Sequence, residues 1–166
     1  LLDVSRIVNG KMRVHPELVD MENLVALSVA NMKSAADAKN IHLTHRVEGR
    51  LQHLLCDPAR MQQVLTNLIS NAVKFTPAEG HIEVVLRANE AGHVVVIVSD
   101  DGIGILPEFL PYVFDRFRQF DTSLTKNSRG LGLGLSIVRH IVELHGGSVS
   151  AKSEGPGHGA TLRVVL

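Results

Sequence analysis

From Asp57 to Phe75 the sequence D-P-A-R-M-Q-Q-V-L-T-N-L-I-S-N-A-V-K-F sorts cleanly into two faces. At about 100° per residue, Met61, Val64, Leu65, Leu68, Ile69 and Ala72 form one stripe, and Arg60, Gln63, Asn67, Asn71 and Lys74 line the other side. The pattern predicts an amphipathic helix, with Asp57 as N-cap, Pro58 at the first helical position and Thr76-Pro77 as the stop. The apolar stripe needs a core. The polar stripe is unusual, because a solvated helix face normally mixes Glu with Lys, whereas this one sets two amides and an ammonium in register. Amide oxygens can coordinate a hard cation and an ammonium can meet a phosphate.

The rest of the chain alternates between the two periodicities. Leu1, Leu2, Val4, Ile7 and Val8 resemble a helix end stopped by Asn9-Gly10, and Lys11 to Val14 is expected to be a short edge strand. Asp20 is the expected N-cap of a helix that carries Leu24, Val25, Leu27, Ser28, Met32 and Ala35 inward and runs toward Asn40. Ile41 to Val47 and His53 to Cys56 have strand patterns, as do Ile82 to Ala88 and His93 to Ser99, a pair joined across Asn89 to Gly92. Short helical turns are expected from Phe109 to Phe120, a polar aperiodic segment from Asp121 to Gly130, and a helix from Leu131 to His145 ending on Gly146-Gly147. Ser148 to Lys152 and Ala160 to Leu166 close the chain as two strands. This order implies a two-layer α/β sandwich whose mixed, mostly antiparallel sheet of about five strands is covered on one face by about three helices.

Composition narrows the chemistry. The 166 residues suit one domain, and an even balance of 17 Lys+Arg against 17 Asp+Glu supplies no basic field for nucleic acid. One cysteine, Cys56, excludes an intrachain disulfide, fits a reducing cytoplasmic setting and is expected to fill a core. No apolar run approaches the ~20 residues that cross a bilayer.

Three glycine-rich turns accompany the polar helix face. Asp100-x-Gly102-x-Gly104 follows a buried-type strand, where glycine admits a flat ligand and a carboxylate can accept from an exocyclic amine. Gly130-Leu131-Gly132-Leu133-Gly134-Leu135 runs into a helix, so its N–H groups can cradle phosphate or serve as a hinge. It lacks the Gly-Lys-Ser/Thr ending of a Walker loop, and no strand leads into it as a dinucleotide fingerprint requires. Gly157-x-Gly159 is explained by a hairpin loop alone.

The succession Asn67-Leu-Ile-Ser-Asn71-Ala-Val-Lys74-Phe75-Thr76, Asp100-x-Gly102-x-Gly104, Phe114-Asp-Arg-Phe117, Gly130-x-Gly132-x-Gly134-Leu and Gly157-x-Gly159 resembles the N, G1, F, G2 and G3 boxes of sensor histidine kinases. The resemblance covers residues 11 to 166, leaving 1 to 10 as the tail of a dimerization helix and its linker, and is especially similar to bacterial hybrid-type kinases. It implies the Bergerat sandwich shared with gyrase, heat-shock chaperone and mismatch-repair ATPases, and ATP and magnesium as ligands.

By that resemblance, Asp100 recognises the adenine amino group and Asn71 ligates magnesium, with Asn67 close to metal and phosphates. Lys74 meets phosphate oxygens and Phe75 lies against adenine. Gly102 and Gly104 shape the adenine pocket, and Gly130, Gly132, Leu133, Gly134 and Leu135 belong to the base of an ATP lid spanning about residues 118 to 131. Hydrolytic relatives place a Glu where Asn67 stands; an amide cannot take a proton near neutral pH, which argues for phosphotransfer over hydrolysis. None of the nine histidines has the flanks of a phosphoacceptor, and most are expected at the surface. The implied partners are a histidine-bearing dimerization domain and a response-regulator receiver domain, the fragment itself being mainly monomeric. Gln119 replaces the family's usual Arg after the F box, leaving Arg116, Arg118 or Lys126 for that phosphate, and Leu131 replaces the usual Thr. A hydrolytic ATPase and a nucleotide-sensing module without chemistry are the competing readings.

Overall fold

The computed structural model of the chain describes residues 12–116 and 132–166. In chain order these form β1 (Glu17–Val19), α1 (Met21–Asp37), β2 (His42–Glu48), β3 (Leu54–Cys56), α2 (Pro58–Phe75), β4 (His81–Ala88), β5 (Val94–Asp100), a 3-10 turn (Leu110–Tyr112), α3 (Gly134–Leu144), β6 (Ser148–Lys152) and β7 (Ala160–Val165). Five strands make one sheet in the order β2-β4-β5-β7-β6, parallel at β2–β4 and antiparallel elsewhere, while β1 and β3 form a separate antiparallel ribbon. The sandwich expected from the pattern is present, with the ribbon as an addition. No helix among the described residues is long and apolar enough to cross a membrane.

Helix α2 begins where its caps dictate. The Asp57 carboxylate accepts from the Arg60 N–H at 3.1 Å and from the His15 N–H at 2.9 Å, and Pro58 occupies the first turn, where no N–H is needed. Met61, Val64, Leu65, Leu68, Ile69 and Ala72 are all buried, as the stripe requires, and Val73 joins them. They pack between α1 and α3 and onto the inward row of the sheet, Ile82, Val84 and Leu86 of β4 with Val94, Val96 and Val98 of β5. Burial of each such side chain contributes ~1.5–3 kcal/mol, so α2 is the spine of the helical layer.

Several local expectations are corrected. Lys11 lies outside the described residues; Met12 to Pro16 form no strand, because Met12 is drawn into the core and Pro16 interrupts the ladder, so the edge strand starts at Glu17. In α1, Leu27 is 50% exposed and Ala35 is exposed too; the helical step from Leu24, Val25 and Ser28 brings Val29 and Ala36 inward instead. That helix stops at Asp37, and Asn40, at φ 54°, reverses the chain. Helix α3 starts at Gly134, later than Leu131, which falls outside the described residues. Cys56 fills the core as expected, with burial pushing its thiol up to about 11.

Candidate functional site

Strand β5 turns its even-numbered residues inward, and Val94, Val96 and Val98 are buried. The next member of that row is Asp100, so a carboxylate ends a run of core valines. Burial pushes its acidity toward the neutral form, and the Asp101 charge adds to this; the Gly102 N–H, 2.9 Å away, and the Ala160 N–H oppose it. Asp101, one residue on, behaves in the opposite way. Burial again resists ionisation, but the His81 N–H at 2.7 Å and the His81 ring Nδ1 at 3.1 Å outweigh it and hold this carboxyl low. The His81 ring in turn stacks on His42, with centroids 4.9 Å apart.

Around Asp100 the backbone packs at a closeness only glycine permits. A Cβ on Gly102 would run into the Phe75 carbonyl, and one on Gly159 into the Asp100 carbonyl. The Ile103 N–H donates to the Phe75 carbonyl at 3.1 Å, which ties this loop to the last turn of α2. The Gly157 and Gly159 N–H groups donate to the carbonyls of Ile103 and Gly102 at 2.8 and 3.0 Å. The third glycine turn therefore does join β6 to β7, as a hairpin loop must, and it also forms a wall of the same site. A cleft of about 470 Å³ opens beside Asp100, lined among others by Leu110, Ser153, Gly159, Ala160 and Thr161.

The polar face of α2 carries the remaining candidate residues. Asn67 is half-buried, and its Nδ2 is fully enclosed without a hydrogen-bond partner among the described residues. A Cβ on Gly134 would sit 3.7 Å from Asn67 Oδ1, so the amide stands against the start of α3. That start carries no side-chain cap: Leu133 occupies the N-cap position and offers no oxygen. Asn71 is half-buried one turn further along α2, and Lys74 is exposed with Nζ 5.0 Å above the Phe75 ring. Thr76 Oγ1 is also enclosed and has no partner among the described residues, in a place where a Cβ on Gly80 would strike Thr76 Cγ2.

The donor set suits an adenine nucleotide. A carboxylate in an apolar row matches an exocyclic amine, and an orphaned amide N–H beside an uncapped helix start matches phosphate oxygens. No three His, Cys, Asp or Glu side chains converge as a metal cluster among the described residues, so a cation here would rest on amide oxygen and ligand phosphates.

Of the residues singled out from sequence, the fold brings Asn67 to the start of α3 at Leu133 and Gly134, and brings Phe75 to the Asp100–Gly104 loop. Asn71 and Lys74 share the polar face of α2. Gly132 is in the left-handed region at φ 63°, and Leu135 packs against the core rather than facing the site. Gly130, the segment 118–131 and the alternatives Arg118, Gln119 and Lys126 lie outside the described residues.

Sequence reasoning missed three contributors. Lys39 reaches the C-terminus of α2, donating from Nζ to the carbonyls of Val73 at 2.7 Å and Thr76 at 2.6 Å, which satisfies carbonyls the helix leaves open. His145 is no surface histidine: its Nε2 accepts from the Asp57 N–H at 3.0 Å, so Nδ1 carries the proton donated to the Ile141 carbonyl at 2.7 Å. Ser153 bonds three backbone groups from two loops. None of these has a pattern signal, since each acts on backbone atoms distant in sequence.

Comparison with known proteins adds relatives to this geometry. Residues 56–166 match the family described as histidine kinase-, DNA gyrase B-, and HSP90-like ATPase. The chain is 35% identical to Hybrid signal transduction histidine kinase D of Dictyostelium discoideum over 196 aligned residues, covering all of this chain and 13% of that protein. It is 36% identical to the Sensor protein SrrB of Staphylococcus aureus, covering all of this chain and 28% of that protein. The chain thus spans under a third of either relative, and its relatives are not confined to bacteria. Among solved structures, full-length ShkA in complex with AMPPNP superposes with a TM-score of 0.84 at 29% identity, over 99% of this chain and 35% of that one.

Proposed function

Because the chain belongs to the family of histidine kinase-, DNA gyrase B- and HSP90-like ATPases, we propose that it is the ATP-binding catalytic domain of a sensor histidine kinase. It binds ATP with magnesium and serves transfer of the γ-phosphate to a histidine presented by a dimerization domain, for relay to a response-regulator aspartate in the cytoplasm. The observation that carries this reading is Asn67, an enclosed amide at the start of α3 whose N–H has no partner among the described residues.

Each residue has a role its chemistry supports. The Asp100 carboxylate accepts from the adenine amino group; its apolar surroundings make that bond strong and leave a ligand without the amine facing an unpaired acceptor. Phe75 offers an apolar ring against the base. Asn71 presents an amide oxygen to magnesium, and Lys74 a mobile ammonium to phosphate oxygens. Magnesium, when bound, neutralises charge on the phosphates. Asn67 donates to a phosphate oxygen or orders the metal's surroundings, and it cannot abstract a proton from water. A site built this way orients nucleotide and leaves the attack to an incoming nucleophile, so positioning and charge stabilisation carry the catalysis.

Calorimetric titration with an ATP analogue, with and without magnesium, tests the reading. Binding is expected to depend on magnesium, and Asn71→Ala and Asp100→Asn are each expected to weaken it about tenfold or more. Unchanged affinity in both variants refutes the site assignment. Rapid phosphate release by the chain alone, with no added histidine-bearing domain, refutes phosphotransfer in favour of hydrolysis.

A further inference from the structure

Ser153 follows directly on β6, and its hydroxyl is fully used within the two glycine loops that surround Asp100. A hydroxyl has one donor and two acceptor positions. Here the donor goes to the Gly159 carbonyl at 2.7 Å, and the acceptors take the Ile105 N–H at 2.9 Å and the Gly155 N–H at 3.3 Å. Ile105 belongs to the loop after β5, whereas Gly155 and Gly159 belong to the β6–β7 loop. One side chain therefore joins both loops, adding to the two backbone bonds between them, from the Gly157 N–H to the Ile103 carbonyl and from the Gly159 N–H to the Gly102 carbonyl. The loops touch through bare backbone: a Cβ on Gly104 would strike the Gly155 carbonyl, and a Cβ on Gly159 the Asp100 carbonyl. Backbone surfaces in such contact gain little from side-chain interlocking and depend on hydrogen bonds to hold their spacing.

The two N–H groups that hold the Asp100 carboxylate come from the first loop and from just beyond the second. Gly102 lies in the first loop, and Ala160 is the first residue of β7, directly after Gly159. If the loops drift apart, the carboxylate loses one donor and the rotation that aims it. We propose that Ser153 is a positioning residue for nucleotide recognition, buckling the two glycine loops so that Asp100 presents a fixed carboxylate to the base. This rests on the nucleotide-binding reading above for its ligand, but not for its geometry. Ser153 also lines the cleft beside Asp100, so its loss would alter the wall as well as the carboxylate.

The test uses the 166-residue chain as Ser153→Ala and Ser153→Thr. In Ser153→Ala, affinity for ADP and for adenosine is expected to fall about tenfold, the effect of one half-buried hydrogen-bonding hub lost. Tripolyphosphate, which has no base, should bind as it does to the parent. Ser153→Thr keeps the hydroxyl and should restore most of the affinity for adenosine. An independent readout is the titration of the Asp100 carboxyl carbon by NMR without nucleotide: Ser153→Ala should move it to higher pH, because a donor to the carboxylate is loosened while its burial remains. An unchanged Asp100 titration together with unchanged adenosine affinity overturns the proposal. So does an equal loss for tripolyphosphate and adenosine, which marks general loosening. If the parent chain binds no nucleotide, the functional reading fails, and the Asp100 titration still decides the role of Ser153.

Discussion

Helices α2 and α3 lie side by side but begin in opposite ways. The start of α2 is saturated: Asp57 caps it, Pro58 removes an N–H, and His145, from the end of α3, accepts the Asp57 N–H. The start of α3 has Leu133 where a capping oxygen would stand, a glycine as its first residue, and across from it Asn67 Nδ2, which has no partner among the described residues. Open donors at a helix start cost stability unless something accepts from them. The fold therefore satisfies the start of α2 and, among the described residues, leaves the start of α3 without a side-chain cap. On the function proposed above, the difference separates groups that hold the protein together from groups that receive a ligand.

Substitutions at the two starts can break that contrast. The largest effect is expected from Asn67→Ala, which should weaken magnesium-dependent binding of an ATP analogue about ten- to a hundredfold, while leaving the melting temperature unchanged or slightly higher because an enclosed unpaired donor is removed. A clear fall in melting temperature would make Asn67 structural and erase the distinction.

Asp57→Ala should do the reverse, costing about 1–2 kcal/mol in denaturant unfolding with nucleotide affinity kept. Asp57→Asn should cost less, and its deficit should depend on pH. Burial raises the Asp57 carboxyl, but donors from His15 and Arg60 outweigh that and leave it below its ordinary value. Its contribution is then complete above the ordinary aspartate value of about 4 and is lost as pH falls through the lower folded value. The wild-type advantage over Asp57→Asn should accordingly shrink in acid; a deficit that stays constant down to pH 2 would show that the charge plays no part.

The smallest effect is expected at the other end of α2. Lys39→Met removes the ammonium from the Val73 and Thr76 carbonyls and should cost about 1 kcal/mol, with Lys39→Arg intermediate. Full retention of stability in Lys39→Met would show that water serves those carbonyls equally well.

Much of this architecture was legible in the chain because it is periodic. The stripe from Met61 to Ala72 repeats a local geometry, with Asp57-Pro58 and Thr76-Pro77 marking its ends, and the apolar run from Val94 to Val98 has the length and β-branched composition of a buried strand. The candidate site was legible where it is written as spaced motifs, in Asn67, Asn71, Asp100, Gly102 and Gly104. Leu27 and Ala35 were misassigned because the apolar face of α1 is less sharply marked than that of α2 and allows two neighbouring choices of inward face, between which packing against α2 selects. Lys39, His145 and Ser153 had no signal at all, since each reaches backbone atoms 34 to 88 positions away or joins two loops that only the sheet order makes adjacent.

The sequence by itself determined the identity of the elements, the two faces of α2 and the chemical kinds of group available, because side-chain spacing on a helix or strand follows from local backbone geometry. Tertiary structure alone decided which polar groups are used up and which remain. Asp100 and Asp101 are adjacent and chemically identical, yet the end of a valine row raises one carboxyl while His81 lowers the other. That outcome depends on burial and on partners brought from β4 and β7, and both come into being only when the sheet closes.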